Sequence, residues 1–278
     1  MGMERHERAL HMYVCAVCNQ KGGVGKTTTV FNVADAAAKA GARVLAIDLD
    51  PQGNLTTILA KEDAVQTDSV GIADALAAST DETIADVIVD TIWPNVALAP
   101  TVPENDVLSA VRDQLVVAGA GRERRLKSQL DTIRDQYDLV LIDCPPSLDQ
   151  LTINALTAAH RAVIVTEAAL FSVNGLAKLR RNIALVAESY NPVLDHNGTV
   201  VNKLEAETIG GREQLAEIRE AVGVIGTPLP KAVVIKDASE ASVSLMDWGT
   251  SKAKNLHAFY RDIYRDIAAG AGEELAAS

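Results

Sequence analysis

The sequence NQKGGVGKTTT at residues 19–29 lies between a short apolar run, residues 14–19, and an alanine-rich stretch with helical periodicity, residues 26–40. A glycine-rich loop between a strand and a helix can surround phosphate oxygens with backbone N–H groups, and the helix N-terminus adds partial positive charge. A glycine-rich turn with incidental lysines is the alternative, but it does not explain the Gly-Lys-Thr ending at this junction. The segment therefore predicts a phosphate-binding loop.

The chemistry of this loop is carried by a lysine and a hydroxyl near its end. Lys26 is expected to reach the β and γ phosphates of a nucleoside triphosphate, and the Thr27 hydroxyl can ligate Mg²⁺. The strict pattern G-x-x-x-x-G-K-[ST] is not met, because its first glycine would fall on Gln20. The residues expected to contact the nucleotide are Lys21, Gly22, Gly23, Val24, Gly25, Lys26, Thr27 and Thr28.

Beyond the loop, short β-rich apolar runs alternate with segments of helical period. This alternation is typical of parallel strands joined by right-handed helical crossovers. Strands are predicted at residues 14–19, 43–48, 96–99, 139–143, 162–166, 199–202 and 224–227. Helices are predicted near residues 26–40, 104–117, 124–136, 175–189, 212–222 and 252–268. We expect an α/β fold with a doubly wound, mostly parallel sheet and helices on both faces, formed by one domain over residues 13–278 after a polar N-terminal extension, residues 1–12.

Composition limits the class of protein. With 278 residues and 48% hydrophobic content, the chain can bury a full core. Its longest apolar runs are strand-sized, shorter than the roughly 18 residues that a membrane helix needs. Three cysteines are too few for a disulfide framework, and the spacing Cys15-x-x-Cys18 lacks a second Cys or His pair to complete a zinc site. A cytoplasmic protein is expected.

The charge of the chain is distributed unevenly. The sequence has 26 Lys and Arg residues against 37 Asp and Glu residues, a formal net charge of −11, which argues against a surface coated with basic charge for nucleic acid. Residues 46–110 contain twelve acidic residues and one basic residue, so the remainder of the chain is balanced. A local basic surface outside this acidic stretch can still meet phosphates.

Two further motifs place acidic residues at the ends of strands. The run VLAIDLDPQGN at residues 44–54 puts Asp48 and Asp50 at the carboxyl end of a predicted strand, where α/β sheets bind their ligands. Two loop carboxylates that cap the next helix would be the alternative. The run YDLVLIDCPP at residues 137–146 ends another strand in Asp143, which is expected to hold Mg²⁺ through water, because that ion keeps several of its waters.

Together these motifs resemble the ParA/MinD family of deviant Walker A ATPases, and most closely its Soj-like partition ATPases. The resemblance is carried by KGGVGKT at residues 21–27, DLDPQGN at residues 48–54 and DCPP at residues 143–146. Weaker matches are FSVNGL at residues 171–176, VVNK at residues 200–203 and TPLPK at residues 227–231. The resemblance covers nearly the whole chain, from Tyr13 to the C-terminal helix.

The resemblance implies an ATP hydrolase that depends on magnesium, has a weak intrinsic rate and forms a homodimer with ATP sandwiched between two protomers. In such a dimer, Lys21 would touch the phosphates held by the partner and Asp50 would position the attacking water, which makes these two the expected catalytic residues. The expected metal site combines Thr27 and Asp143, and Asp48 would lie near the magnesium shell.

The resemblance also implies contacts to the adenine base. Asn202, at the end of a predicted strand, would read the adenine edge, and Pro230 belongs to a loop that would close over the base. A plain strand end and a plain turn are the alternatives for these two positions.

Two other classes within the family are less well matched by the sequence. Carriers of iron–sulfur clusters need cysteines that bridge a dimer, whereas Cys144 lies directly on a strand-end motif and no second suitable cysteine follows it. A MinD-like membrane-associated positioning ATPase, the alternative that we retain, needs a basic amphipathic C-terminal helix. The last helix has an apolar stripe and balanced charges, so we expect it to pack against the body of the protein. The stripe consists of Leu256, Phe259, Tyr260, Ile263 and Ile267, and the charges of Arg261 and Arg265 are balanced by those of Asp262 and Asp266.

A ParA-type protein remains, and the resemblance implies how it works. The ATP dimer would bind double-stranded DNA nonspecifically on the nucleoid, and a ParB-type centromere-binding protein would stimulate hydrolysis. Residues 1–12 are too short for the helix-turn-helix domain that some family members carry, so operator binding is not expected. Candidate contacts to DNA phosphates are Lys231, Lys236, Lys252 and Lys254, with Arg180, Arg181 and the cluster at residues 122–127 as rivals.

Overall fold

A single seven-stranded sheet organises the part of the chain that the computed structural model describes, residues 12–102, 106–168 and 172–277. The strands are β1 (Tyr13–Cys18), β2 (Val44–Asp48), β3 (Val89–Asp90), β4 (Val96–Ala99), β5 (Leu139–Asp143), β6 (Arg161–Glu167) and β7 (Asp195–Asn202). They lie in the order β3-β4-β2-β5-β1-β6-β7. Every neighbouring pair is parallel except β3 with β4. The prediction of a doubly wound, mostly parallel sheet is confirmed.

Helices connect the strands and cover both faces of the sheet. They are α1 (Lys26–Lys39), α2 (Asn54–Leu59), α3 (Ile72–Leu76), α4 (Ile84–Val87), α5 (Val107–Val117), α6 (Arg125–Asp131), α7 (Gln150–Ala158), α8 (Ser172–Tyr190), α9 (Ile209–Ala221), α10 (Val233–Glu240) and α11 (Ser251–Ala277). A short 3-10 helix, Arg122–Arg124, precedes α6. Helices α1, α10 and α11 pack together, and helices α6 to α9 form the opposite layer.

Alternation along the strands divides the core between the two faces. In β1, Val14 and Ala16 join one apolar cluster, whereas Cys15 and Val17 join the other, because successive side chains of a strand point to opposite faces. The first cluster is completed by helices α5 to α9, and the second by α1, α10 and α11. A parallel strand that is covered on both faces of the sheet has apolar side chains on both faces. The sequence of β1 is therefore a continuous hydrophobic run.

The cysteines of β1 belong to this packing. Burial raises the pKa of the Cys15 and Cys18 thiols to about 12, so both are neutral at physiological pH and behave as small apolar side chains. Cys144, just after β5, is buried as well. These positions therefore serve the core of the sheet.

One predicted strand is wrong. Residues 224–227 make only an isolated bridge, between Thr199 and Val224, and no ladder follows. The chain turns at Gly226, whose φ is +64°, and the Gly226 N–H donates to the Asp266 carboxylate of α11 rather than to β7. The following Pro228 has no N–H to continue a ladder.

Several elements are missing from the prediction or differ in extent. Helices α2, α3, α4, α7 and α10 and the two-residue strand β3 were not predicted. The predicted helix at residues 124–136 ends at Asp131, and the helix predicted at residues 252–268 extends to Ala277. The predicted start at Glu104 and the motif residue Phe171 lie outside the described residues, as do residues 1–11 of the N-terminal extension.

The apolar stripe of α11 packs against the body, as expected. Leu256, Tyr260, Ile263 and Ile267 are all buried against α1 and the sheet. None of the described helices combines the length and the apolar character that a membrane span requires.

The centre of the stripe yields a stability prediction. Tyr260 is fully buried, and its hydroxyl has no hydrogen-bond partner within the described residues. An unpaired buried hydroxyl costs about 1–3 kcal/mol, so Tyr260→Phe is expected to leave the free energy of unfolding unchanged or to raise it by about 1 kcal/mol. Tyr260→Ala should lower it by about 3–5 kcal/mol through loss of packing. Urea denaturation of the three proteins measures this; a destabilising Tyr260→Phe would show that the hydroxyl has a partner.

Candidate nucleotide and metal site

The loop between β1 and α1 has the backbone shape that the phosphate-binding prediction requires. Gly23 and Gly25 have φ values of +76° and +97°, in the left-handed region that favours glycine. Gly25 is the N-cap of α1, and any side chain there would collide with the amide nitrogen of Asn202. The loop therefore needs glycine at Gly25 for two independent reasons, its dihedral angle and the close approach of β7.

A hydrogen bond joins the first turn of α1 to the end of β5. The Thr27 hydroxyl donates to Oδ2 of Asp143 at 2.6 Å. Asp143 is fully buried, and its other oxygen, Oδ1, has no hydrogen-bond partner within the described chain. Because buried polar atoms are nearly always satisfied, this oxygen is a candidate to accept a hydrogen bond from a ligand. A water molecule held by Mg²⁺ fits this position, since that ion prefers oxygen ligands and keeps part of its hydration shell.

Two buried carboxylates lie side by side at this edge of the sheet. Asp48 and Asp143 are register partners on the adjacent parallel strands β2 and β5. Burial raises the pKa of Asp143 well above its usual range and the negative charge of Asp48 adds to the rise, whereas Thr27 and the Lys26 ammonium lower it. Burial likewise raises the pKa of Asp48 to about 7. A divalent cation would favour the ionised form of both groups.

Asp48 also organises the turn that follows β2. Its Oδ2 accepts hydrogen bonds from the backbone N–H and the hydroxyl of Thr56, each at 2.8 Å, and its Oδ1 accepts from the Asp50 N–H at 3.2 Å. The Thr56 hydroxyl in turn accepts from the Thr101 N–H. Asp48 thus caps α2 and fixes it against the sheet, which is the alternative that the sequence left open for one of these two carboxylates. Its expected place near the magnesium shell remains a prediction.

The loop opens onto a cavity of about 720 Å³. The lining includes most of the predicted nucleotide contacts and the candidate for the attacking water, namely Gly22, Gly23, Gly25, Lys26, Thr27, Thr28, Asp50, Asn202 and Pro230. Val24 is buried beneath the loop. In Asp50, Oδ1 accepts the Gln52 N–H at 3.1 Å, and the side chain borders the cavity. The structure therefore brings residues of four separate motifs to one opening.

Asn202 is held by the loop itself. Its Nδ2 donates to the Val24 carbonyl at 2.8 Å, and its Oδ1 accepts from the Lys203 N–H. One amide hydrogen remains for a base, because a primary amide has two donors. Pro230 borders the cavity, and its backbone bridges to Leu204. Helix α10, which the sequence did not predict, supplies the facing wall through Ala232, Ile235, Lys236, Ser239 and Glu240.

Lys21 lies at the exposed edge of the loop in an ion pair that the sequence did not reveal. Its Nζ lies 3.2 Å from Oε2 of Glu167, the last residue of β6. Oε1 of Glu167 accepts from Lys203 Nζ at 2.7 Å, and the same ammonium donates to the Gly23 carbonyl at 2.6 Å. Glu167 and Lys203 are 36 residues apart in sequence, so only the pairing of β6 with β7 brings them together.

The four candidate DNA contacts differ in their surroundings. Lys231 pairs with Glu205 at 2.9 Å and Lys236 with Glu240 at 3.4 Å, both in exposed positions where ion pairs contribute little. Lys252 and Lys254 lie exposed in the first turn of α11. Neither forms an ion pair with any described residue. These two are therefore the most available cations of the set.

Two of the rival cations, Arg122 and Arg180, are held by local structure. Arg122 donates to the carbonyls of Val116 and Ala118 and pairs with Glu123. Arg180 donates to the Ala221 carbonyl and to the Asn197 side chain. A guanidinium engaged in this way has fewer N–H groups left for a phosphate.

Comparison with known proteins places the chain among ATPases. The AAA_31 family model, described as an AAA domain, matches residues 12–196. The chain is 34% identical over 270 residues to the sporulation initiation inhibitor protein Soj of Bacillus subtilis, covering 92% of this chain and 98% of Soj. It is 36% identical over 236 residues to the chromosome partitioning protein ParA of Caulobacter vibrioides, covering 81% of this chain and 83% of that protein.

Solved structures share the fold over almost the whole chain. A structure described as cobyrinic acid a,c-diamide synthase from Mycobacterium smegmatis, with bound ATP analog and magnesium, has a TM-score of 0.77 and 32% identity, and covers 91% of this chain and 93% of that one. The Cyanothece McdA(D38A)–ATP complex has a TM-score of 0.79 at 24% identity, covering 94% of this chain and 97% of that one. The second likeness shows the fold alone.

The raised pKa of Asp143 predicts a pH-dependent metal effect. Mg²⁺ must replace protons that the buried carboxyls hold, and since the pKa of Asp48 is raised to about 7, the increase in ATP affinity caused by Mg²⁺ should grow as the pH rises from 6 to 8, by up to about tenfold per pH unit for each carboxyl below its pKa. Calorimetric titration of ATP with and without Mg²⁺ measures it. Asp143→Asn should show a smaller increase that depends less on pH, and Thr27→Ser, which keeps the hydroxyl, should follow the native protein. An Asp143→Asn protein with the native pH profile would contradict the assignment.

Proposed function

We propose that this chain, which belongs to the ParA/MinD family of P-loop ATPases together with Soj and ParA, is a ParA-type ATPase for DNA segregation. The proposal rests first on the Thr27–Asp143 hydrogen bond at the mouth of a glycine loop, with one carboxylate oxygen left unpaired. That arrangement supports binding of ATP together with Mg²⁺, as in the solved relative with a bound ATP analog and magnesium.

Different residues of the loop would bind the phosphates and the metal. The backbone N–H groups of the loop and the N-terminus of α1 surround the phosphates, and Lys26, only 6% exposed, supplies a positive charge where desolvation strengthens it. Thr27 and Asp143 would hold the metal, with Asp48 near its shell. Magnesium held there would supply positive charge to stabilise the phosphates during transfer.

Hydrolysis requires a positioned water and a cation at the transferred phosphate. Asp50 borders the cavity beside the loop and is fixed by the Gln52 N–H, so it is placed to orient a water for in-line attack. The Lys21 side chain pairs with Glu167, does not line the cavity and is 64% exposed. It is therefore available to a second copy of the chain, which supports a homodimer that sandwiches two nucleotides.

At the base end, the remaining amide hydrogen of Asn202 and the ring of Pro230 are the proposed contacts to adenine. Both border the cavity, and residues of α10 line it as well. A base seated there would lie between Pro230 and Ile235, in keeping with the apolar sides and few polar groups of most ligand sites.

DNA is the proposed partner of the ATP dimer. Lys252 and Lys254 at the start of α11 are exposed and unpaired among the described residues, and Lys231 and Lys236 lie in weak exposed ion pairs. A dimer would present two such sets and gain affinity for phosphates by releasing counterions. Stimulation of hydrolysis by a ParB-type protein and a place on the nucleoid are part of the same proposal, which the similarity to Soj and ParA supports.

Two alternative functions have less support than the ParA-type role. A membrane-associated, MinD-like role would use the apolar face of α11, but that face is buried against α1. An enzyme that acts through a cysteine nucleophile, the second alternative, would need an accessible thiolate. All three cysteines are buried, and burial raises the pKa of each thiol.

Two substitutions separate binding from hydrolysis. Lys26→Ala should abolish ATP binding, whereas Asp50→Ala should keep ATP affinity within about threefold and lose turnover by about 10²-fold or more, so that an ATP dimer accumulates. Phosphate release and light scattering after size-exclusion chromatography measure both effects. Asp68→Ala removes an exposed acid elsewhere and should change neither. An Asp50→Ala protein that hydrolyses ATP at the native rate would remove this residue from the mechanism.

DNA binding is expected to need ATP and to weaken steeply with salt. In filter binding to plain duplex DNA, the joint substitution of Lys252 and Lys254 by Ala should reduce the magnitude of the slope of log K against log salt by roughly 2 per protomer, since each phosphate contact contributes about 0.9. Lys61→Ala, an exposed lysine within the acidic stretch, should leave the slope unchanged. Equal retention of DNA with and without ATP would contradict the proposed switch.

A further inference from the structure

We propose that Glu167 is a positioning residue that holds Lys21 against its own protomer until a second copy binds ATP, so that it sets how readily the dimer forms. This inference rests on the proposed function, because it takes Lys21 as the residue that crosses to the partner's nucleotide. The observation that carries it is the bridge in which one carboxylate joins two lysines at the mouth of the site.

The bridge links three parts of the fold. Glu167 ends β6, Lys203 follows β7, and Lys21 lies in the loop after β1. The two carboxylate oxygens are used separately: Oε1 lies 2.7 Å from Lys203 Nζ and Oε2 lies 3.2 Å from Lys21 Nζ. A second contact, from Lys203 Nζ to the Gly23 carbonyl, ties the same network to the loop backbone.

The members of the bridge are not equally fixed. Lys203 has a φ of +53°, in the left-handed region that costs energy for a side chain other than glycine, so its conformation is imposed by its surroundings. Its side chain is 43% exposed and that of Glu167 23%, whereas that of Lys21 is 64% exposed. Lys21 also makes the longer contact. It is therefore the member that leaves when another phosphate competes for its charge.

The charge of Glu167 suits this role. Burial alone raises the pKa of the Glu167 carboxyl, but the hydrogen bonds from Lys203 and Lys21 outweigh burial and bring the pKa below its ordinary value. The carboxylate is thus ionised at neutral pH and attracts both ammonium groups. Lys203, anchored at Gly23, can remain on Glu167 when Lys21 leaves, so the loop keeps its shape while the exposed lysine moves.

Dimer formation must break this ion pair in both protomers. Exposed or partly exposed ion pairs favour the paired state by about two- to fivefold. Because two pairs open per dimer, neutralising Glu167 is expected to tighten ATP-dependent dimerisation by about 4- to 25-fold. Affinity of the monomer for the nucleotide should change little, since Lys203 and Asn202 still hold the loop.

The experiment compares Asp50→Ala with Asp50→Ala/Glu167→Gln. The Asp50→Ala background is used because ATP hydrolysis would otherwise dissociate the dimer during the measurement. Sedimentation velocity with ATP and Mg²⁺ measures the dimer dissociation constant, and calorimetry with ADP measures monomer affinity. The expected result is a 4- to 25-fold tighter dimer with ADP affinity within about twofold. Glu217→Gln, an exposed acid on α9, is the charge-matched control and should have no effect.

Two further measurements make the result decisive. Adding Lys21→Ala should abolish the gain from Glu167→Gln, because the carboxylate then has no crossing lysine to hold. Thermal unfolding identifies a variant that does not dimerise because it is unfolded. In that case Glu167→Asp serves as the second variant, and its dimer dissociation constant is expected to lie between the values with Glu167 and with Glu167→Gln. A dimer that is unchanged or weaker in Glu167→Gln would overturn the inference, whereas a failure of Asp50→Ala itself to dimerise with ATP would overturn the proposed function.

Discussion

The hydrogen bond from Thr27 to Asp143 is the constraint around which the site is built. It joins the first turn of α1 to the end of β5, and the loop between β1 and α1 can take one shape only while both ends are held. Asn202 holds that loop from the opposite side through the Val24 carbonyl, and its amide fills the space that a side chain at Gly25 would need. The side chains of Asp143 and Asn202, from strands on either side of β1, thus position the glycine-rich backbone between them.

The electrostatics of the site make sense only with a cation and a polyphosphate. Burial raises the pKa of both carboxyls on these adjacent strands, the charge of Asp48 adds to the rise at Asp143, and one Asp143 oxygen has no partner among the described residues. A fold designed for stability alone would avoid such a pair, since burying unpaired charge is costly. The cost is consistent with a functional site, where perturbed carboxylates are common. Lys26 offsets part of the negative charge, and a divalent metal would offset the rest.

The sequence predicted the parts of the site that lie within continuous motifs. The loop, Asp50 and Asp143 could be predicted because each is a short local pattern at a strand end, and the strand order brings those ends to one edge. The roles of three other residues could not be predicted from the sequence. Glu167 and Lys203 act through contacts with residues distant in the chain. Thr56 contacts Asp48 around a turn whose shape the sequence does not specify. The strand predicted at residues 224–227 was wrong because Gly226 turns the chain toward α11. Helix α7 had a readable start, since Asp149 caps it through the Leu151 and Thr152 N–H groups.

Binding of ATP to the native protein with and without magnesium tests the arrangement most directly. If Thr27 and Asp143 hold a metal against the phosphates, calorimetric titration at pH 8 should show ATP affinity at least about tenfold higher with Mg²⁺ than with chelator. The same affinity in both conditions would mean that the unpaired Asp143 oxygen does not serve a metal, and no binding in either would remove the nucleotide from the site.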